Sequence, residues 1–264
     1  MTALDLNFKQ KNILSLKLTP TVKGSELPYE DGIPLESSLH LDTMTLLMQQ
    51  LEYYWRNRND VYIAANMFVY FDPDQVKNRN FRGPDFFVVK GVKHTNPRLS
   101  WVIWEEDYLT PNFVVELTSP STIKNDLAEK KDIYEQVLET QEYFVYTPNT
   151  TELLGWRLQV GRYEPIVPNK KGWLWSEELG LWMGVAEHRF SKYNQAVYVL
   201  RFFNEAGSLV LTKAEAESYR ADAQTAIVLK ERQQIYQVKQ ELAEEKQRAD
   251  RLAAKLRELG ISPD

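Results

Sequence analysis

Three features of the sequence predict a mixed α/β domain followed by a long helix. Up to about residue 150, apolar strand-like runs alternate with amphipathic helical segments. Beyond that point the texture changes to short strands punctuated by Trp and Gly, and from 213 to 259 the chain contains neither Gly nor Pro. The expected organisation is an irregular N-terminal segment over 1–26, an α/β domain with a β-rich extension over 27–212, and a charged helix over 213–264.

Composition narrows the chemistry. The 264 residues are 43% hydrophobic and 12% aromatic, which supports a sizeable core and excludes a disordered chain. The absence of cysteine excludes disulfide scaffolds, Cys-ligated zinc, iron–sulfur clusters and thiol catalysis. His40, His94 and His188 are too scattered for a histidine-rich centre, so any metal should have oxygen ligands. The N-terminus lacks a basic start followed by an apolar stretch, and no window approaches a membrane span of about 20 apolar residues; a soluble cytoplasmic protein is expected. A net charge of −5 argues against indiscriminate coating of nucleic acid but leaves room for a local basic groove.

The elements follow in order. Residues 1–35 read as irregular, with a short strand at 13–18. "SSLHLDTMTLLMQQLEYYWRNR" has Leu39, Met44, Leu47, Met48, Leu51 and Trp55 at helical spacing behind a serine cap, ending near Arg58. "DVYIAANMFVYFD" reads as one strand, followed by the basic loop "PDQVKNRNFRG". "PDFFVVKGV", "WVIWEED" and "NFVVELTS" are further strands, "NDLAEKKDIYEQVLET" a helix, and "EYFVYTP" a strand. The segments after 150 suggest a meander extending the core sheet. Trp173, Trp175 and Trp182 could stack on bases or sugars; filling the gap between two sheets is the favoured reading. In the last helix a heptad series runs from Ala221 through Val228, Ile235, Leu242 and Ala249 to Leu256. Its companion positions are apolar only in part, its charges nearly balance, and Gly260 supplies a stop. Such a helix is expected to pair with a copy of itself or to pack on the body, and the charge balance fits a self-pairing helix better than a nucleic-acid-binding tail.

The candidate chemistry centres on Glu116. A carboxylate within "NFVVELTS" is costly unless it is paired, hydrogen-bonded or holding a cation, and it lies near the C-terminal end of its strand, where open sheets place ligands. Asp85 is a second acid against an apolar strand, and two such acids suit a hard cation. Asp126, Lys130 and Tyr134, spaced i, i+4, i+8, form one helical stripe that could bring the Lys130 ammonium to the site; Lys131 points about 100° away. For Glu116 alone, a structural ion pair with Lys130 is the competing reading.

"GPDFFVV", "VVELTSPST", "NDLAEKKDIY" and "EYFVYTP" together resemble the Uma2 (DUF820-like) family, over roughly residues 27–205. Its fold is similar to the restriction-endonuclease-like PD-(D/E)XK core, a mixed sheet flanked by helices. The resemblance implies that Pro84-Asp85 is the PD element, that Glu116 is the second acid, and that Mg²⁺ or Mn²⁺ is the cofactor on Asp85 and Glu116. The usual lysine two residues on is Thr118 here; the resemblance places it instead at Lys130 on the following helix. It also implies DNA as substrate and cleavage leaving a 5′-phosphate.

Other residues keep two readings. Glu36 could complete the site from upstream, with Glu30 and Asp31 competing. Lys77, Arg79 and Arg82 could bind substrate phosphates or be ordinary charges on a solvated loop. His40 and His188 read as ordinary partly buried or surface residues, Tyr134 as helix packing and Asp126 as a first-turn acid. The expected function is a metal-dependent DNA endonuclease, homo-oligomeric through its last helix. The alternative is an inactive nuclease fold acting as an oligomeric binding or assembly module. A sugar- or nucleotide-binding role for the Trp region finds no glycine-rich phosphate loop to support it.

Overall fold

The computed structural model of the chain describes residues 22–30, 32, 37–73, 81–119 and 122–259. The strand expected at 13–18, Asp31, Glu36, Lys77, Arg79 and Gly260 lie outside them. Two compact units divide the chain, residues 1–212 and residues 213–264.

In the first unit, α1 spans Ser38–Tyr54. Its start is fixed by Ser37, whose Oγ accepts the His40 N–H at 3.2 Å, satisfying one of the free first-turn donors. His40, Met44, Leu47 and Leu51 recur along one side and are buried. The helix stops short of the expected Arg58, which instead makes a two-pronged pair with Asp60.

The stretch 60–72, expected as one strand, divides in two. β1 (Val61–Ala65) and β2 (Val69–Tyr70) are separated by Asn66 at φ 47°, a left-handed conformation that asparagine tolerates better than most residues. β1 joins the central sheet with β4 (Phe86–Lys90), β6 (Phe113–Leu117), β7 (Glu142–Thr147), β8 (Glu152–Gln159) and β9 (Arg162–Pro165), in the order β1-β4-β6-β7-β8-β9. Only β6 and β7 pair in parallel; the other neighbours are antiparallel. β2 joins a small separate sheet with β3 (Phe81–Arg82) and β5 (Trp101–Val102).

The parallel pair requires a crossover, and a helical run over 123–136, here α2, supplies it. It consists of a short α stretch (Ile123–Asn125), a π turn (Asp126–Lys130) and a second α stretch (Lys131–Gln136). The central strands are buried on both faces. Phe86, Val88, Phe113 and Val115 pack with Met44, Leu47 and Leu51 of α1, whereas Phe87, Val89, Val114 and Val145 pack with Tyr134 and Leu138.

The β-rich extension departs from expectation in one respect. β8 and β9 do extend the central sheet, but β10 (Leu174–Ser176), β11 (Leu181–His188) and β12 (Val197–Phe203) form a second antiparallel sheet. Its inward residues, among them Leu174, Leu181, Met183, Leu200 and Phe202, share the core of α1. Alternation along each strand then turns the tryptophans outward. Trp175 and Trp182 are paired across β10 and β11 and are only half-buried, and Trp173 stacks on Phe203 at 3.9 Å. Leucine and methionine fill the gap between sheets in place of the expected indoles.

Residues 213–264 contribute α3, which spans Lys213–Glu258. Among the described residues no helix is long and apolar enough to cross a membrane.

One glycine of the central sheet is required by contact. A Cβ at Gly155 would lie 2.6 Å from the Phe144 ring carbons and 2.9 Å from Leu174. Gly155→Ala should therefore lower stability by about 1–3 kcal/mol, the usual cost of overpacking, as a reduced midpoint in denaturant unfolding.

Candidate active site

The site forms where β4 and β6 run side by side. Their register pairs Phe86 with Val115, so the next step brings Asp85 beside Glu116, both on the face that carries α2. Asp85 Oδ2 accepts the Leu117 N–H at 2.6 Å, fastening the start of β4 to the end of β6. Its Oδ1 lies 3.0 Å from His40 Nε2. Glu116, with 1% of its side chain exposed, meets Lys130 Nζ at 3.0 Å through Oε2 and accepts the Tyr134 hydroxyl at 3.0 Å through Oε1.

α2 delivers the remaining groups. Lys130 Nζ also lies 2.8 Å from Asp126 Oδ1, so one ammonium bridges two buried carboxylates. Both residues belong to the π turn, a local widening that recurs at functional sites. The Tyr143 hydroxyl donates to the Asp126 carbonyl at 2.8 Å, and its ring stacks on Tyr134, holding the helix against β7. Lys130 is the cluster's cation and keeps 24% of its side chain exposed, against 1% for Glu116 and 2% for Asp126.

Thr118, which stands where the resembled core usually carries a lysine, is buried. Its Oγ1 lies 3.1 Å from Thr122 Oγ1 and donates to the Ser119 carbonyl at 3.3 Å, tying the end of β6 to the turn into α2. A hydroxyl that closes this turn takes the place from which a lysine side chain would otherwise reach the site.

Charge in this cluster is unbalanced: Asp85, Glu116 and Asp126 face one ammonium. Burial, reinforced by the charges of Asp85 and Asp126 and opposed by Lys130, pushes the Glu116 carboxyl up to about 8. For Lys130, burial alone would lower the ammonium's pKa, but Glu116 and Asp126 reverse this and hold it well above the ordinary lysine value. Burial, with the Glu116 charge adding to it, also raises the Tyr134 hydroxyl far enough to remain a donor.

Among the described residues no three His, Cys, Asp or Glu side chains converge as a ready-made metal cage. The donor set nevertheless suits a hard divalent ion: Asp85 and Glu116 are adjacent carboxylates, and Mg²⁺ commonly takes only one or two from the protein. The surplus negative charge of Asp85 and Asp126, which together with burial raises the Glu116 carboxyl, is what such an ion would neutralise.

The structure thus brings Asp85, Glu116 and Lys130 together and adds Asp126 and Tyr134. Arg82 sits on β3 and pairs with Glu129 at 2.7 Å, one residue from Lys130. Glu30 is exposed. His40, read from sequence as ordinary, is the residue that sequence reasoning missed. Its signal was present, since it occupies the core-facing stripe of α1 with Met44, Leu47 and Leu51, where an imidazole needs a partner. His188 instead lies 3.0 Å from Arg201 in the second sheet.

A mixed sheet with one parallel pair and a helical crossover, carrying two carboxylates on neighbouring strands, is the mixed α/β fold expected from the sequence. The chain belongs to the Uma2 family, described as "Putative restriction endonuclease", whose profile matches residues 25–186. Among solved structures it is similar to a "putative nuclease belonging to DUF820" from Anabaena variabilis ATCC 29413. That match has 12% identity and a TM-score of 0.42, and covers 60% of this chain and 90% of the other. Among curated proteins none matches.

The raised Glu116 carboxyl gives a signed pH dependence. A carboxyl whose folded value lies above its ordinary 4.5 contributes stability that is present below pH 4.5 and is lost as pH rises through about 8. Glu116→Gln imitates the protonated form, so its stability relative to the parent should climb between about pH 5 and pH 8. Urea midpoints at the two ends of that window measure it. A difference that stays flat or runs the other way would mean that Glu116 is ionised throughout.

Proposed function

We propose that this protein is a divalent-metal-dependent DNA endonuclease that hydrolyses phosphodiester bonds, with Asp85 and Glu116 as the ligands of Mg²⁺ or Mn²⁺. The carrying observation is the side-by-side placement of these two acids, in register across β4 and β6, with Lys130 on Glu116. Bound there, the ion would supply Lewis acidity at a phosphoryl oxygen and an acidified water.

The chain's own groups have distinct tasks. The Leu117 N–H and His40 orient the Asp85 carboxylate. Tyr134 fixes one Glu116 oxygen and leaves its second acceptor direction available. Lys130, kept charged by Glu116 and Asp126 and partly open to solvent, places a fixed positive charge for the scissile phosphate. Arg82, with Lys77 and Arg79 beside it in sequence, contacts flanking phosphates; Arg82 exchanges its exposed partner Glu129 for the substrate. The protein acts as a homo-oligomer joined through α3.

Titration calorimetry with Mn²⁺ and Mg²⁺, run beside a plasmid-nicking assay, tests this reading. The parent should bind metal and nick DNA. Asp85→Ala and Glu116→Gln should lose the binding heat and slow nicking at least about a hundredfold, as expected when several kcal/mol of stabilisation is removed. Lys130→Gln should retain the heat and lose the nicking, which separates its role from ligation. Absence of both heat and nicking in the parent would leave a nuclease fold serving as an assembly module.

Oligomerisation has its own check. Removing residues 213–264 should convert the dimer or higher oligomer to a monomer in sedimentation velocity. A full-length chain that is already monomeric would refute that part of the proposal.

A further inference from the structure

α3 is 46 residues long and Ala216 is its only buried residue. Ile235, Val238, Leu242, Leu252 and Leu259 are all exposed, and with Ala249 and Leu256 they form one seam at alternating spacings of three and four residues. A helix this polar on its remaining surface draws little stability from propensity alone. Its seam fits a second copy of itself, and the interruptions in the seam decide the direction in which that copy runs.

Two glutamates, Glu231 and Glu245, occupy seam positions. In a parallel pair in register, each seam residue meets its own copy. Glu231 would face Glu231 and Glu245 would face Glu245, placing two like-charged pairs in a dehydrated interface. Reversing one helix changes every layer. Ile235 then meets Leu259, Val238 meets Leu256, and Leu242 meets Leu252. Glu245 meets the small Ala249, with room for its carboxylate to turn outward. Arg248, which already lies 3.5 Å from Glu245 within one helix, is present on the second copy beside Ala249 to receive that charge. Glu231 falls outside the overlap and remains in water. Shifting the antiparallel pair by one heptad toward the N-terminus puts Glu245 against Leu242 and Glu231 against Leu256, so the first alignment is the better one.

We propose that α3 pairs with a second copy of this chain in antiparallel orientation, overlapping over residues 235–259. This rests on the oligomeric reading above and adds its geometry. With about 1.5 Å of rise per residue, the two Lys213 positions lie about 100 Å apart. The two copies of residues 1–212 are therefore attached at opposite ends of the pair.

The absence of cysteine makes the test direct. Full-length Lys230→Cys carries a spin label at an exposed position off the seam. After sedimentation has established the oligomeric state, the distance between the two labels is measured by pulsed electron resonance. Antiparallel pairing predicts about 50 Å, whereas parallel pairing in register predicts below about 20 Å. As an independent variant, Leu242→Cys with Leu252→Cys should give, on oxidation, peptides joined from 242 to 252. A dimer with the short distance, or with 242 joined to 242, overturns the antiparallel assignment and leaves oligomerisation standing. A full-length monomer overturns both.

Discussion

The buried carboxylate of Glu116 is the constraint around which the first unit is arranged. At the end of a strand packed on both faces, an ionisable group must find partners or remain protonated. α2 meets that need with Lys130 and Tyr134, two turns of one helix acting on the two oxygens of one side chain. The path of the crossover is thus set by electrostatics as well as by apolar packing. Tyr143, stacked on Tyr134 and donating to the backbone of Asp126, secures the same helix from the neighbouring strand. Removing Glu116 entirely would leave the Tyr134 phenol without its acceptor and Lys130 with Asp126 alone, whereas glutamine retains the shape and part of the bonding.

The same cluster shows why stability and the proposed chemistry pull in different directions. A purely structural site would match its three carboxylates with as many cations. Here one ammonium serves two of them, and Asp85 relies on a backbone N–H and an imidazole. Burial, with the charges of Asp85 and Asp126 added to it, raises Glu116 to about 8, a cost that a fold selected for packing alone would avoid by placing an apolar residue there. Strain of this kind recurs where a site is built to receive something.

Much of this arrangement was legible in the sequence because it is local. Glu116 interrupts an apolar strand, Asp85 precedes another, and Asp126, Lys130 and Tyr134 share a helical stripe. Each is a short-range pattern tied to a known period. What was illegible depends on contacts between distant segments. His40 meets Asp85 only because α1 crosses the start of β4, and no spacing within either segment encodes that crossing. Period-two alternation separates the two faces of β10 and β11 but does not say which face is covered; the tryptophans were therefore placed inward when Leu174, Leu181 and Met183 hold that side. The division of 60–72 turned on one left-handed asparagine, a conformation that the surrounding β-branched and aromatic residues masked.

On the proposed reading, the charge of the cluster also links metal and substrate. DNA phosphates approaching Asp85, Glu116 and Asp126 would meet net negative charge, with Lys130 already engaged by two of the three. A divalent ion on Asp85 and Glu116 would reverse the sign of the local field and release Lys130 from part of its pairing, freeing an ammonium for the phosphate. Each ligand would then strengthen the binding of the other by the same factor. The whole chain carries −5, so little long-range attraction is available to offset a negative site. Productive DNA binding would therefore depend on the ion more steeply than in a protein with a broadly cationic surface.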